Sequence, residues 1–309
     1  MFKKCFMYGM AALVLGCGAL TARADDPQPP AERIAQWRAA AEKGDAVAQF
    51  SLAWCYKNGK GVLKDLEKAV FWYSKAAEQG YAPAQSDLGA CYGNGLGVEK
   101  DFEQAVKWYR RAAEQGDAMA QYNLGWCHAH GEGVPKDLEK AVFWYGKAAE
   151  QESAPAQYSL GVCYKNGDGV KKDMEKAVHW LHKAAEQGHA PAQYILSACY
   201  YQGSGVPRDL EKAVFWLRKA AEQGDADAQV RLGLYYAKGD DVPRDMEKAT
   251  HWFSKAAEQG DADAQGILGA CYYEGCGVPK NLEKAVYWLR KAAAQGSEPA
   301  KQMLKKLGY

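Results

Sequence analysis

Hydrophobic and polar positions along the chain form short helical stripes that are interrupted at regular points. Residues 66–78 are one example, with apolar residues at three- and four-residue steps that share one face of a helix. Asp65 before the stripe is a typical N-cap, and Gly80 after it supplies the left-handed residue that ends a helix. The pattern predicts an amphipathic helix. Its apolar residues are Leu66, Ala69, Tyr73, Ala76 and Ala77.

The stripe recurs with a fixed period. A segment A-x-A-Q occurs seven times, always 36 residues after the previous one. Between these segments a Gly-x-Gly-Val stretch separates two amphipathic helices. Helices this short are marginal alone, so repeated helix pairs are expected to stack into a solenoid. The segments begin at Ala46, Ala82, Ala118, Ala154, Ala190, Ala226 and Ala262.

The repeated unit A-x-A-Q-x-x-L-G-x-x-Y-x-x-G-x-G-V-x-x-D-x-x-K-A-x-x-W resembles the Sel-one-like repeat, a tetratricopeptide-type α-solenoid. The resemblance implies an all-α, right-handed α/α superhelical solenoid of helix pairs that serves as a protein-binding scaffold. Polar segments at residues 31–45 and 298–309 are predicted to be capping helices. The seven predicted repeats are 46–81, 82–117, 118–153, 154–189, 190–225, 226–261 and 262–297.

Three residues depart from the unit. Glu152 replaces the glycine that ends the second helix, Asp241 replaces the second loop glycine, and Asn281 replaces the capping aspartate. Because Asn and Asp tolerate a positive φ better than most residues, we expect an altered junction only at Glu152.

The first helix of each repeat has an inward arc of small residues and an opposite arc that carries large aromatics. In the solenoids that the sequence resembles, this opposite arc lines the concave groove, and aromatic residues are favoured interface anchors. The alternative is that these rings pack laterally between adjacent first helices. The predicted protein-binding residues are Phe50, Trp54, Tyr122, Trp126, His130, Tyr158, Lys165, Tyr194, Tyr201 and Tyr273.

A tryptophan occupies one site of the second helix in every repeat. A residue that is identical in each unit serves what all units share, which is stacking on the next unit. Burial of so large a ring stabilises the contact by several kcal/mol, roughly 4–6 as an upper bound. We therefore expect a structural role for Trp72, Trp108, Trp144, Trp180, Trp216, Trp252 and Trp288.

A cysteine occupies one site of the first helix in six of the repeats. Equivalent positions in stacked helices lie about 8–10 Å apart, whereas a disulfide needs Cα atoms within about 7 Å. The thiols are therefore expected to be free and buried. Cys276 lies in a loop, where it could pair with Cys271 or stay free. The six repeated cysteines are Cys55, Cys91, Cys127, Cys163, Cys199 and Cys271.

The amino terminus predicts export. Residues 1–24 combine a basic end, an apolar stretch and an A-x-A site, which indicates a secretory signal cleaved near Ala24. Lipidation at Cys17 is the alternative. Residues 25–30 form a Pro-rich linker. The expected location is periplasmic or secreted, with no membrane span in the mature form.

Charge and motifs exclude several function classes. The chain has 39 basic and 38 acidic residues, so its net charge of +1 favours neither nucleic acid nor an anionic membrane. His179 and His182 share a helix face but lack the further ligands that zinc needs, and no catalytic motif is present. We expect a monomeric, non-enzymatic scaffold that binds a protein or peptide, without cofactor, metal or catalytic residues. The alternative is a cell-wall-related amide hydrolase with β-lactamase-like activity.

Overall fold

The computed structural model describes residues 30–239 and 242–309, and this part of the chain contains sixteen α-helices joined by turns. The predicted leader, nearly all of the linker and Asp241 lie outside the described residues. The helices are α1 (Ala31–Glu42), α2 (Ala46–Asn58), α3 (Leu66–Glu78), α4 (Ala82–Asn94), α5 (Phe102–Glu114), α6 (Ala118–His130), α7 (Leu138–Glu150), α8 (Ala154–Asn166), α9 (Met174–Glu186), α10 (Ala190–Gln202), α11 (Leu210–Glu222), α12 (Ala226–Lys238), α13 (Met246–Glu258), α14 (Ala262–Glu274), α15 (Leu282–Ala294) and α16 (Glu298–Lys306).

The chain divides into two compact units between Lys172 and Asp173. The N-terminal unit contains α1–α8 and the C-terminal unit contains α9–α16. Within each unit, every helix packs against the helix that follows it. The even-numbered helices α2–α14 are the first helices of the repeats, here called helices A, and the odd-numbered helices α3–α15 are the second, here called helices B. The predicted all-α fold of paired helices is confirmed.

The helices begin and end where the sequence predicts. Asp65 Oδ1 accepts a hydrogen bond from the backbone N–H of Lys68 at 2.9 Å and caps α3. Asn281, which departs from the repeat, accepts an equivalent bond from the N–H of Lys284 at 2.9 Å. The amide oxygen therefore replaces the carboxylate, and the cap of α15 is kept.

The second loop glycine is required by close contact as well as by its conformation. Gly97 has a φ of 72°, and a Cβ there would collide with the main-chain carbonyl of Leu66. Gly133 has the same relation to the carbonyl of Phe102. Any side chain at these positions would lift the loop off the start of the preceding helix B, so these glycines hold neighbouring repeats together.

A buried glutamine joins three consecutive helices in each unit. Gln121, at the end of its A-x-A-Q segment, is 5% exposed. Its Nε2 donates to the carbonyl of Ala113 on the preceding helix B at 3.1 Å, and its Oε1 accepts from Gln151, just after its own helix B, at 2.8 Å. Gln229 repeats this arrangement in the C-terminal unit, with Ala221 and Gln259. The amide thus satisfies a carbonyl at a helix end that would otherwise be buried without a partner.

The repeated tryptophans are half-buried at the junctions between repeats. Trp144 packs against a core cluster that includes Ala112, Ala113 and Ala120, which belong to two successive repeats. Its ring also meets Phe143 edge to face, with centroids 5.0 Å apart. The expected structural role in stacking is therefore supported by the contacts of Trp144.

The cysteines of the described chain are all free thiols. The six repeated cysteines are buried, as expected, whereas Cys276 is half-buried. Burial raises the pKa of Cys55, Cys91 and Cys271 to about 11. It raises the pKa of Cys127 and Cys163 to about 12. These thiols therefore stay protonated at neutral pH and serve as small apolar groups.

Glu152 adopts the backbone conformation of the glycine it replaces. Its φ is 63°, and it is the one non-glycine residue of the described chain with a positive φ. Its N–H donates to Ala149 O at 3.1 Å, as that of Gly116 does to Ala113 O at 3.0 Å. A Cβ at Gly116 would meet no atom within 4 Å, so the site has room for a side chain. The expectation of an altered junction is wrong. The backbone geometry of the junction is kept, and Glu152 adopts a positive φ that is unfavourable for a residue with a side chain.

Replacing Glu152 by glycine should therefore raise the free energy of unfolding by about 1 kcal/mol, because the left-handed conformation costs an L-residue about that much. Urea denaturation of the full chain measures the effect. Glu150→Gly, two residues earlier and inside α7, is the matched control and should lower stability by about 1 kcal/mol. A lower midpoint for Glu152→Gly than for the wild type would contradict the strain argument.

His189 caps α10 through a neutral ring. Its Nδ1 accepts a hydrogen bond from the N–H of Ala192 at 3.3 Å, which requires that this nitrogen carry no proton. Burial lowers the pKa of His189 from 6.5 to about 4. Because the unfolded chain takes up this proton first, the contribution of His189 to stability is complete above pH 6.5 and is lost as the pH falls from 6.5 towards 4.

The substitution His189→Asp should remove this pH dependence, because aspartate caps the equivalent helix at Asp117, where Oδ1 accepts from Ala120 N at 2.7 Å. Relative to the variant, the wild type should lose about 2 kcal/mol of stability between pH 7.5 and pH 5. Melting curves of both proteins across this range provide the measurement. Any other histidine, such as buried His128, is present in both and cancels. Parallel pH curves would rule out the neutral cap.

Candidate functional site

The exposed residues of helices A are not all those that were predicted to line the groove. Phe50 is 1% exposed and Tyr122 is 5% exposed. The Tyr122 ring lies 5.8 Å from that of Tyr145 on the helix B of the same repeat. Helices A and B approach closely there, since a Cβ at Gly125 would lie 2.8 Å from the Tyr145 ring. Phe50 and Tyr122 therefore belong to the core, and their assignment to the binding groove is wrong.

The other eight predicted groove residues keep part of their surface. They lie in two units, and each unit presents its own set. Of the eight, His130 and Tyr273 are exposed. The half-buried ones are Trp54, Trp126, Tyr158, Lys165, Tyr194 and Tyr201.

An aromatic stack marks the surface of the N-terminal unit. The Trp126 ring lies 4.3 Å from the His130 ring with 25° between their planes, and 6.2 Å from Phe102 of the preceding repeat with 29° between them. Nδ1 of His130 lies 2.9 Å from the carbonyl oxygen of Trp126, which fixes the imidazole. Trp126 thus packs laterally, as the alternative interpretation proposed, and it also keeps part of its surface accessible.

Polar side chains that the sequence interpretation missed lie beside this stack. Asp87 is 8% exposed, and its Oδ1 pairs with Lys57 Nζ at 2.8 Å across two repeats. Asn123 is 3% exposed, and its Oδ1 has no hydrogen-bond partner among the described residues. The sequence does distinguish these two residues, because the equivalent position of two other repeats holds an apolar side chain, Ile195 or Ile267. The Asn123 face is defined as Lys57, Asp87, Asn123, Trp126 and His130.

The C-terminal unit presents a different helix-A surface. Tyr201 and Tyr235 stack with centroids 5.6 Å apart, and Arg231 lies on the same face of α12 as the exposed Leu234. The Arg231 face is defined as Tyr194, Tyr201, Arg231, Leu234 and Tyr235. Its cation stands at the helix position where the N-terminal unit has Asp87 and Asn123.

Within residues 30–239 and 242–309, no group of three or more His, Cys, Asp or Glu side chains is placed to hold a metal ion. In the same residues, no helix has the length and apolarity to cross a membrane.

The periodic helix pairs, their loop glycines and the buried glutamines identify the family. The Sel1 repeat matches residues 46–81, 82–117, 118–153, 154–189, 190–225, 226–261 and 262–297. The chain belongs to the Sel1 repeat family. The resemblance inferred from the repeated unit is confirmed, and the molecule is a tetratricopeptide-like solenoid.

Two solved Sel1 structures are similar over most of the chain. One is c5321, a protective antigen present in uropathogenic Escherichia coli strains, with 40% identity and a TM-score of 0.83 over 89% of this chain. The present chain covers 59% of the length of that antigen. The other is a Sel1 repeat protein from Oxalobacter formigenes, with 42% identity and a TM-score of 0.74, covering 89% of this chain and 80% of that one. No curated protein was found to match.

The two kinds of tryptophan should respond differently to truncation. Trp144→Ala removes a ring from the core shared by two repeats and should lower the free energy of unfolding by about 3 kcal/mol. Trp126→Ala should cost about 1 kcal/mol, because the nearest ring contact of this half-buried side chain is the exposed His130. Thermal and urea unfolding of both variants measure the difference. Equal losses would show that Trp126 is a core residue, with no surface left for a ligand.

Proposed function

We propose that this Sel1 repeat protein is a non-enzymatic scaffold outside the cytoplasm, and that its Asn123 face binds an extended segment of a partner protein. The observation that carries the proposal is the amide of Asn123, which is buried in the face with an unsatisfied oxygen. An unmade hydrogen bond of this kind costs about 1–3 kcal/mol. A half-turn of the amide would bring this inward-facing oxygen to the surface, where a bound main chain, which offers both N–H donors and carbonyl acceptors, would supply the missing bond.

The neighbours of Asn123 suit an extended chain. Trp126 lies one turn further along α6, and its exposed surface offers an apolar contact beside the amide. Helices α4 and α6 are in direct contact, so Asp87 and its partner Lys57 continue the face into the preceding repeats. Because Asp87 is already neutralised by Lys57, the face has no strong preference for a charged ligand.

The location follows from the predicted leader and from one relative. The signal-like segment at residues 1–24 predicts export. The relative with 40% identity is a protective antigen, which supports a location of the present protein that is accessible to the immune system. Cleavage near Ala24 and anchoring at Cys17 remain the two forms of this proposal.

Hydrolase activity is the less favoured alternative. Five of the buried thiols are protonated at neutral pH, since burial raises their pKa to about 11 or 12, so they are poor nucleophiles. His130 is held by the carbonyl of Trp126, and His189 caps a helix. A nitrocefin assay tests the alternative directly, and turnover that survives repurification would overturn the non-enzymatic proposal.

The binding proposal predicts a pattern of capture. The chain from Asp25 onwards, immobilised, should retain partner protein from an extract of its own cell envelope. Asn123→Ala and Trp126→Ala should each reduce the retained amount at least about tenfold, because they remove the hydrogen-bonding amide and its adjacent apolar contact. Mass spectrometry with labelled extracts quantifies each captured protein.

Phe143→Ala provides the matched control, because Phe143 is 55% exposed on helix B of the same repeat. This variant should capture the same proteins as the wild type. Melting temperatures of all three variants separate loss of binding from loss of folding. Unchanged capture by both Asn123→Ala and Trp126→Ala would overturn the Asn123 face as the binding site.

A further inference from the structure

An open cavity lies between two consecutive helices B of the C-terminal unit. Its volume is about 510 Å³, and residues at the end of α9 and along α11 line it. Gly188, just after α9, borders the cavity, and a Cβ there would meet no atom within 4 Å. The α9–α11 cavity is defined by Glu186, Phe215, Trp216, Lys219 and Glu222.

The buried amide at the floor of the cavity is already satisfied. Gln193 is 3% exposed, and its Nε2 donates to the carbonyl of Ala185 at 3.0 Å. Its Oε1 accepts from Gln223 Nε2 at 2.8 Å. These polar groups bond to one another, so recognition of a ligand falls to the ring and the charged side chains around them.

Two aromatic rings form one wall of the cavity. Phe215 is 51% exposed, and its ring meets that of Trp216 edge to face with centroids 5.0 Å apart. The Trp216 ring in turn meets His182 of α9 at 5.5 Å, with 76° between their planes. Contacts from both repeats therefore hold the wall, and the exposed phenyl ring offers a face that attracts cations.

The charged groups around the cavity are mainly negative. Glu186 and Glu222 are the last residues of α9 and α11, and each helix C-terminus adds roughly half a negative charge. Within the part of the chain that the structure describes, no ion pair includes Glu222, and Glu186 pairs with His182 at 3.4 Å. Lys219 is the one cation among the lining residues, and its Nζ lies 5.9 Å from the centroid of the Phe215 ring. The two carboxylates and the helix ends outweigh this single ammonium.

This excess of negative charge distinguishes the cavity from the equivalent positions of other repeats. Phe71 and Phe143 each have the same two glutamates and lysine around them, but Arg38 and Arg110 stand at the position of His182. An arginine is a permanent cation and a histidine is not, so both of those sites have balanced charges. The equivalent residues are Glu42, Lys75 and Glu78 at the first site and Glu114, Lys147 and Glu150 at the second.

We propose that the α9–α11 cavity binds an arginine side chain of a partner peptide, with its guanidinium paired to Glu222 and stacked on Phe215. A planar guanidinium donates two parallel N–H bonds to a carboxylate and also stacks on an aromatic face. An open cavity would leave much of a free small molecule in solvent, so the guanidinium belongs to a chain that stays outside. The occupant is thus a basic peptide segment. The proposal concerns residues other than the Asn123 face and stands independently of it.

Three synthetic peptides test the chemistry with the chain from Asp25 onwards by isothermal titration calorimetry. The first is acetyl-Gly-Leu-Arg-Leu-Gly-amide, the second has citrulline, a neutral isostere, in place of arginine, and the third has lysine. The arginine peptide should bind at least about tenfold more tightly than the citrulline peptide, since hydrogen bonds between charged groups are stronger than neutral ones. It should also bind severalfold more tightly than the lysine peptide, because an ammonium lacks the planar fork.

The variants assign the site. Glu222→Gln should abolish the preference for arginine over citrulline, and Phe215→Ala should weaken binding of the arginine peptide severalfold. His182→Arg, which introduces the residue of the two balanced sites, should also abolish the preference. Both Glu222 and Phe215 are exposed, so melting temperatures should stay close to that of the wild type.

Glu150→Gln and Phe143→Ala are the matched controls, because they make the same changes at the equivalent positions of the N-terminal unit. Both should bind all three peptides as the wild type does. The proposal is overturned if the arginine peptide fails to bind at millimolar concentration, or if the citrulline or lysine peptide binds as tightly. An unchanged preference in Glu222→Gln would likewise exclude the α9–α11 cavity as the site.

Discussion

The hydrogen bonds of a buried glutamine are the constraint on which the rest of the structure depends. Helix ends carry carbonyl groups without intrahelical partners, and a solenoid buries one such end at every junction. The glutamine amide donates to the end of the preceding helix B and accepts from its own repeat, so one side chain fixes three helices. An apolar residue of the same size would leave a buried carbonyl unpaired, at a cost of about 1–3 kcal/mol at each junction.

Because the glutamine on helix A is itself buried, the exposed stripe of that helix is free to vary between repeats. The same helix position holds Asp87, Asn123 and Arg231 in different repeats, while Gln85, Gln121 and Gln229 stay constant. A charge-neutral face with an unsatisfied amide and an exposed cation are thus built on one backbone. The scaffold separates what holds repeats together from what each repeat presents.

Much of this architecture could be predicted from the sequence. The period of 36 residues, the caps and the loop glycines are local signals, and they specify the helices and their pairing. The exposed surface of helix A was harder to predict, because Phe50 and Tyr122 lie at the border between its buried and exposed stripes. At this border, the small residue three positions later decides how closely helix B approaches. Helical periodicity alone does not predict the distance between helices A and B. Asn123 and Arg231 were missed because a lone polar residue resembles an ordinary surface residue until its partners are known.

The spans of the inter-repeat contacts have an evolutionary consequence. The glutamine bonds connect residues 8 and 30 positions apart, and Gln295 reaches Gly260 over 35 positions. None of these contacts exceeds one period, so the two ends created by excising a whole repeat present interfaces of the same kind. In-frame recombination between similar repeats can therefore lengthen or shorten the gene in steps of 36 codons while each surviving junction keeps its bonds. Relatives of different length, such as the longer antigen of Escherichia coli, are the expected products of such exchanges.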